Sequence, residues 1–146
     1  MPRTLYRIQP RLPVSLRDFD LQRKKGRSSF DVVTHDGLVE PLAPEKQSAF
    51  STPNGMSLRP DGQNLRRILS DFQGTPMIYR MHEGLEIPAS FSLFHEHSDH
   101  YSLQTSGAVS LADLNHKLTS FLEALPPPQT REQFFAQLND EDDQDN

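Results

Sequence analysis

Leu111, Leu114, Leu118, Phe121, Leu122 and Leu125 recur at helical spacing and form one apolar stripe. Ser110 stands just ahead of it with Asp113 three residues on, close to a capping box, and Pro126-Pro127-Pro128 stops it. A helix with one apolar face has to bury that face. The patterns around it are mostly short strands, so the chain must build a sheet and a few helices around one core. Its 146 residues suit one domain, but only 34% are apolar and 12 are proline. That predicts a small core with long irregular connections.

Thr4 to Ile8 alternates like a strand, with Leu5 and Arg7 on one face and Thr4, Tyr6 and Ile8 on the other. Residues 10 to 29 show no regular element. Phe30 to Thr34 and Leu38-Val39 flank Asp36-Gly37, the pattern of a β-hairpin. Pro41 to Pro53 reads as loop. Asn54-Gly55 reads as a tight turn into Met56-Ser57-Leu58, with Gly55 at positive φ. Leu65, Ile68, Leu69 and Phe72 mark a helix capped by Asp61. Met77 to His82 is a strand, and Ile87 to Leu93 is a bend. His100 to Gln104 is the next strand, with Tyr101 and Leu103 inward and His100, Ser102 and Gln104 on the other face. Thr130 to Leu138 is a last helix, capped by Thr130 with Gln133 reaching back. The acidic stretch after Asn139 reads as disordered.

The formal net charge is −5, and the acidic end carries much of it. The rest is close to neutral, so nucleic acid is not an expected partner. The local basic run of Arg17, Arg23, Lys24, Lys25 and Arg27 reads as solvated loop. Without cysteine there is no disulfide and no thiolate metal site. No apolar run approaches the ~20 residues of a membrane helix. The first residues lack the apolar stretch of a secretory signal, so a soluble, cytoplasmic place of action is expected.

The densest chemistry lies in His95-Glu96-His97-Ser98-Asp99-His100, with three histidines and two carboxylates in six residues. Imidazoles suit zinc, copper or nickel, and His95, His97 and His100 could share a metal with Glu96 or Asp99. The best-known zinc spacing on a helix is four residues between histidines, and here it is two and three. No metal is assigned. The plain reading of this stretch is a solvated polar loop.

Leu5-Tyr6-Arg7, Asp36-Gly37, Asn54-Gly55-Met56-Ser57, Gly84-Leu85-Glu86-Ile87-Pro88 and Asp99-His100-Tyr101-Ser102-Leu103 follow one another in an order that resembles a known family. It is the ADP-ribosyltransferase-like toxin family typified by the second exported effector of a bacterial type VI secretion system, with fungal relatives. The resemblance covers roughly Thr4 to Leu118. It implies an α+β fold with a split β-sheet core and surrounding helices, in a toxin domain over 1–125, followed by a helix and acidic tail over 126–146.

The resemblance further implies an NAD-dependent ADP-ribosyltransferase acting on an intracellular macromolecule. Delivery by a secretion machine and, for a bacterial source, a neutralising immunity protein would accompany it. Arg7 matches the first-strand residue that holds NAD, and Ser57 matches the one that contacts the nicotinamide ribose. Where the family's usual glutamate stands, this chain has His100 followed by Tyr101, with Glu96 nearby. The assignments are therefore Ser57, His100 and Glu96 for catalysis and Arg7, Asn54, Ser57 and Tyr101 for NAD. Breaking the nicotinamide–ribose bond builds positive charge on the ribose, which asks for an acceptor beside it and a cation for the pyrophosphate. The alternatives are an inactive interaction module on the same fold, or an RNA-directed NAD enzyme like the tRNA 2′-phosphotransferases.

Overall fold

The computed structural model of the protein describes residues 1–42 and 53–144, with side chains as far as Gln137. In chain order the elements are β1 (Leu5–Gln9), α1 (Phe19–Lys24), β2 (Leu38–Val39), β3 (Gly55–Leu58), α2 (Gln63–Asp71) and β4 (Met77–Met81). They continue with β5 (Phe91–His97), β6 (His100–Thr105), β7 (Val109–Ser110), α3 (Leu111–Glu123), β8 (Gln129–Thr130) and α4 (Arg131–Gln144). The class is α+β, and every sheet is antiparallel. One sheet runs β1-β4-β8 and a second β3-β6-β5; β2 and β7 form a small third pair. No described helix is long and apolar enough to cross a membrane.

The β1-β4 ladder has apolar groups on both faces. Leu5, Tyr79 and Met81 join the larger core, where the α3 stripe supplies Leu114, Leu118, Phe121 and Leu122. Tyr6, Ile8 and Ile78 face a smaller core made with Leu65 and Leu69 of α2 and Phe134 of α4. Each fully buried leucine or phenylalanine stabilises the fold by roughly 1.5–3 kcal/mol. Tyr6 meets Phe134 edge to face at 5.1 Å, so the stretch after Leu125 contributes a strand and a core residue to the fold.

Among the described residues the first and second sheets share the larger core and are joined by one isolated backbone bridge. Tyr6 N–H donates to the Arg59 carbonyl at 2.7 Å, and Arg59 N–H donates back to Tyr6 at 3.1 Å. Ile8 and Ser57, the next positions of that register, are not paired, so β1 and β3 splay apart beyond the bridge.

The caps on α3 and α4 form as expected. Ser110 Oγ accepts from Asp113 N–H at 3.1 Å. Thr130 and Gln133 exchange side-chain-to-backbone bonds at 3.1 and 2.9 Å, a reciprocal capping box.

Other expectations are corrected. Asp61 does not cap α2; Gly62 holds that position, and Asp61 pairs with Arg66 at 3.2 Å. A short helix, α1, lies within residues 10 to 29, capped by Asp18 Oδ2 accepting from Leu21 N–H. The Asp36-Gly37 turn forms with φ of 51° and 78°, but its hairpin stops at the His35–Leu38 bridge. Leu38-Val39 pairs with β7 instead. Residues 91–97, read partly as a bend and partly as polar loop, are the strand β5. α4 continues past Leu138 as far as Gln144, through most of the stretch read as disordered. Most of the loop read over Pro41 to Pro53, and the last two residues, lie outside the described residues.

Candidate active site

A cavity of about 390 Å³ opens where β1 and β3 splay apart. Arg7 and Gln9 of β1 line one side, Ser57 and Arg59 the other, and Leu65, Ile68 and Phe72 from α2 and its end give it an apolar wall. The parity of the strands explains this grouping. Arg7 and Gln9 are two residues apart on one strand, as are Ser57 and Arg59, so each pair shares a face.

Arg7 Nε donates to Gln9 Oε1 at 2.9 Å, and Nη1 donates to the Ser57 carbonyl at 3.3 Å. Desolvation lowers the Arg7 pKa to about 10, with Asp31 pulling it up and Arg17 pulling it down. The guanidinium stays charged at neutral pH. Among the described residues no carboxylate lies within ion-pair distance of it. The neighbouring arginines differ. Arg17 clasps Asp31 through Nε at 3.0 Å and Nη2 at 3.1 Å, and this hydrogen bonding raises its pKa. Arg59 Nη1 pairs with Asp99 at 2.6 Å. A half-buried cation without a counter-ion among the described residues, facing open volume, is suited to an anionic ligand.

That arrangement has a measurable cost. The lowering of the Arg7 pKa to about 10 corresponds to ~3 kcal/mol of disfavoured charge. Arg7→Met keeps the side-chain length and removes the charge, but loses two hydrogen bonds from a charged donor, worth ~1.5–3 kcal/mol each. The two effects nearly offset, so Tm should stay within about 2–4 °C of the parent in differential scanning calorimetry. A larger fall in Tm would show that Arg7 is a structural arginine.

Behind Ser57 runs a chain of side-chain hydrogen bonds. Ser57 Oγ lies 3.1 Å from His100 Nε2, and His100 Nδ1 lies 2.8 Å from Glu96 Oε2. Ser57 faces Ser102 across the β3-β6 ladder, which makes His100 its diagonal neighbour on the same face. Glu96 reaches His100 because β5 carries a bulge: His95 opposes Tyr101 and His97 opposes His100, with Glu96 as the extra residue. The Glu96 side chain is only 8% exposed and that of His100 15%, so solvent competes little for these bonds. A carboxylate accepts only, so Nδ1 donates to Glu96, and in the neutral ring Nε2 accepts the Ser57 hydroxyl proton.

The structure thus brings Arg7, Ser57, His100 and Glu96 together in one continuous constellation. Of the expected site residues, Arg7 and Ser57 line the cavity; His100 and Glu96 reach it through Ser57, and Asn54 and Tyr101 do not line it. Asn54 donates to the Glu40 carbonyl at 2.9 Å and to Gln104 Oε1 at 3.3 Å, inside the protein. Tyr101 belongs to the larger core, its ring stacked on His95 at 4.2 Å. Ser102 and Gln104 share the His100 face as expected, yet they bond each other at 3.3 Å in a buried network.

Positive φ among the described glycines occurs at Gly26, Gly37, Gly74 and Gly84, and not at Gly55. Gly55 is needed for a different reason. A Cβ there would come within 2.9 Å of the Leu103 carbonyl carbon and closer still to its oxygen.

Sequence reasoning missed Gln9 and Arg59, although strand parity with Arg7 and Ser57 points to both. It also placed Arg17 in a solvated basic run, whereas Arg17 lines the cavity and is tied to Asp31. The Arg17–Asp31 pair carries no local signal, since it joins residues 14 apart on either side of α1, a helix too short to show in the sequence pattern.

No curated protein and no solved structure gives a match to the chain. The model of the Tse2 ADP-ribosyltransferase toxin family matches residues 3–134, which include every strand and helix that builds the cavity, and the chain belongs to that family.

Proposed function

We propose that the protein cleaves NAD at the nicotinamide–ribose bond and transfers ADP-ribose to a macromolecule inside a target cell. The observation that carries this reading is the Glu96–His100–Ser57 chain ending at the wall of a cavity that also holds Arg7, half-buried and without a carboxylate partner among the described residues. When bound, NAD supplies the electrophile: nicotinamide leaves with the bonding electrons, and positive charge grows at the ribose. Arg7 suits the pyrophosphate, as a guanidinium can offer two parallel donors to phosphate oxygens. The apolar wall of Leu65, Ile68 and Phe72 suits a flat ring and keeps water away.

The carboxylate that this fold usually brings to the ribose is replaced by a relay. Glu96 holds the His100 proton on Nδ1 and stabilises any positive charge the ring takes up. Nε2 then draws on the Ser57 O–H, leaving Ser57 Oγ richer in electron density where it faces the cavity. Ser57 so presents an acceptor to a ribose hydroxyl or to the developing cation. A histidine at this place works because its unprotonated nitrogen points at Ser57, not at the substrate.

The cytoplasm is the proposed place of action, reached through a secretion machine, with a macromolecular acceptor and a neutralising partner. Nucleic acid is a poor candidate acceptor: besides Arg7, the cavity's arginines, Arg17 and Arg59, are already paired with carboxylates.

The test is to incubate the purified protein with NAD labelled in the adenylate and in the nicotinamide. Free nicotinamide and labelled acceptor in cell extract are the readouts. The parent should release nicotinamide and label protein. Ser57→Ala and His100→Ala should each lower the rate by roughly 10²–10⁴ while staying folded. Expressed inside a model cell, both should relieve growth arrest. A harmless parent that leaves NAD intact, or toxicity that survives both changes, would turn the reading to an interaction module.

A further inference from the structure

His97 has no part in the relay, yet the fold brings it beside two members of it. On an unbroken strand, Glu96 and His97 would point to opposite faces. The bulge after His95 cancels that alternation, and Ser98, at a φ of 47°, closes the turn back to His100. One donor atom each from Glu96, His97 and His100 then lies within 4.8 Å of the others. The His97 and His100 rings stand nearly parallel, 18° apart with centroids at 5.3 Å.

Two imidazoles and one carboxylate are a donor set for zinc and its neighbours in the first transition row. Bonds of about 2.0–2.2 Å to a tetrahedral ion hold donors roughly 3.3 Å apart, so a modest turn of the side chains closes the present spacing. Glu96 is almost fully buried and supplies the negative charge, whereas His97 is exposed and leaves the fourth position open to water. His95 is excluded although the sequence pattern includes it. Its Nε2 bonds the Ser98 carbonyl at 2.6 Å, and its ring lies flat on Tyr101.

We infer that Glu96, His97 and His100 bind one divalent cation of the zinc class at the tip of the β5-β6 hairpin. His100 ligates through Nδ1, the nitrogen that faces Glu96. The ion takes the place of the proton that now joins these two residues, so metal-bound and relay states exclude one another. Binding does not depend on the reaction proposed above; the competition with the relay does.

The probe is zinc alone, added to the intact protein. Calorimetry should give one ion per chain. Long-range proton–nitrogen spectra of the histidine rings should show zinc shifting His97 and His100 and leaving His35, His82, His95 and His116 in place. His97→Ala should weaken binding at least about tenfold, and His95→Ala should leave it unchanged. Absence of binding, shifts centred on other histidines, or equal affinity in His97→Ala overturns the site. If zinc binds as described while NAD stays untouched by the metal-free parent, the failure belongs to the proposed reaction and not to the metal site.

Discussion

Glu96→Gln should lower the rate of nicotinamide release by about 10⁴-fold, as the amide-for-carboxylate change does in the carboxylate–histidine–serine triad. The substitution keeps the volume of the side chain and a partner for His100 Nδ1. It removes the full negative charge that lets the ring take up positive charge from Ser57. Glu96 is nearly buried and 2.8 Å from the ring, so little water is present to substitute for it. The experiment needs circular dichroism and Tm alongside the rate, because the same change could loosen the β5-β6 hairpin. A rate within tenfold of the parent, with the fold intact, would reduce Glu96 to a buried hydrogen-bond partner and leave His100 acting alone.

Gly55→Ala should be among the most damaging single substitutions to stability. The added methyl carbon meets backbone, the Leu103 carbonyl group, and not the movable end of a side chain. Relief requires β3 to shift against β6, and that ladder also aligns Ser57 with Ser102 and Met56 with Leu103. Met56 and Leu103 are both fully buried, so a shift disturbs the larger core as well. A loss of ~3 kcal/mol is expected. In a chain of this size it lowers Tm by roughly 10 °C, readable in a thermal melt. A melt within 2–3 °C of the parent would mean that β3 has slack at its first residue. The control is Gly62→Ala, where nothing lies within 4 Å of the new carbon.

Some of this was legible in the chain because burial there is one-sided. The α3 stripe could be read residue by residue, since Leu114, Leu118, Phe121 and Leu122 face one core and the other side of the helix faces water. The capping residues of α3 and α4 act within three positions of themselves, and local rules found them. The order of Arg7, Ser57 and His100 also survived into a shared constellation.

What escaped was non-local. α1 has six residues, too short for a periodic window, and the residue it buries is Gln22. β5 begins with alternating Phe91 and Leu93 but ends in polar residues at a hairpin tip, where no core imposes a pattern. The bulge that turns Glu96 toward His100 exists only relative to β6 and cannot be seen in one strand. Asn54 and Tyr101 adjoin site residues in sequence, but Asn54 is bound within the protein and Tyr101 points to the opposite face of its strand.

The single Tyr6–Arg59 bridge gives the cleft a fulcrum. It sits one residue from Arg7 and two from Ser57, so these groups lie on short lever arms. A small rotation of one sheet against the other moves them little and moves the far rim much more. Among the described residues the hydrogen bond that spans the gap beyond the pivot is the long 3.3 Å contact from Arg7 to the Ser57 carbonyl, and it can stretch without loss of any ladder bond. The mouth can therefore widen while the spacing at the throat stays nearly constant. Amide exchange at Tyr6 and Arg59 would register that pivot: slow if it is a rigid pin, fast if the two sheets come apart there.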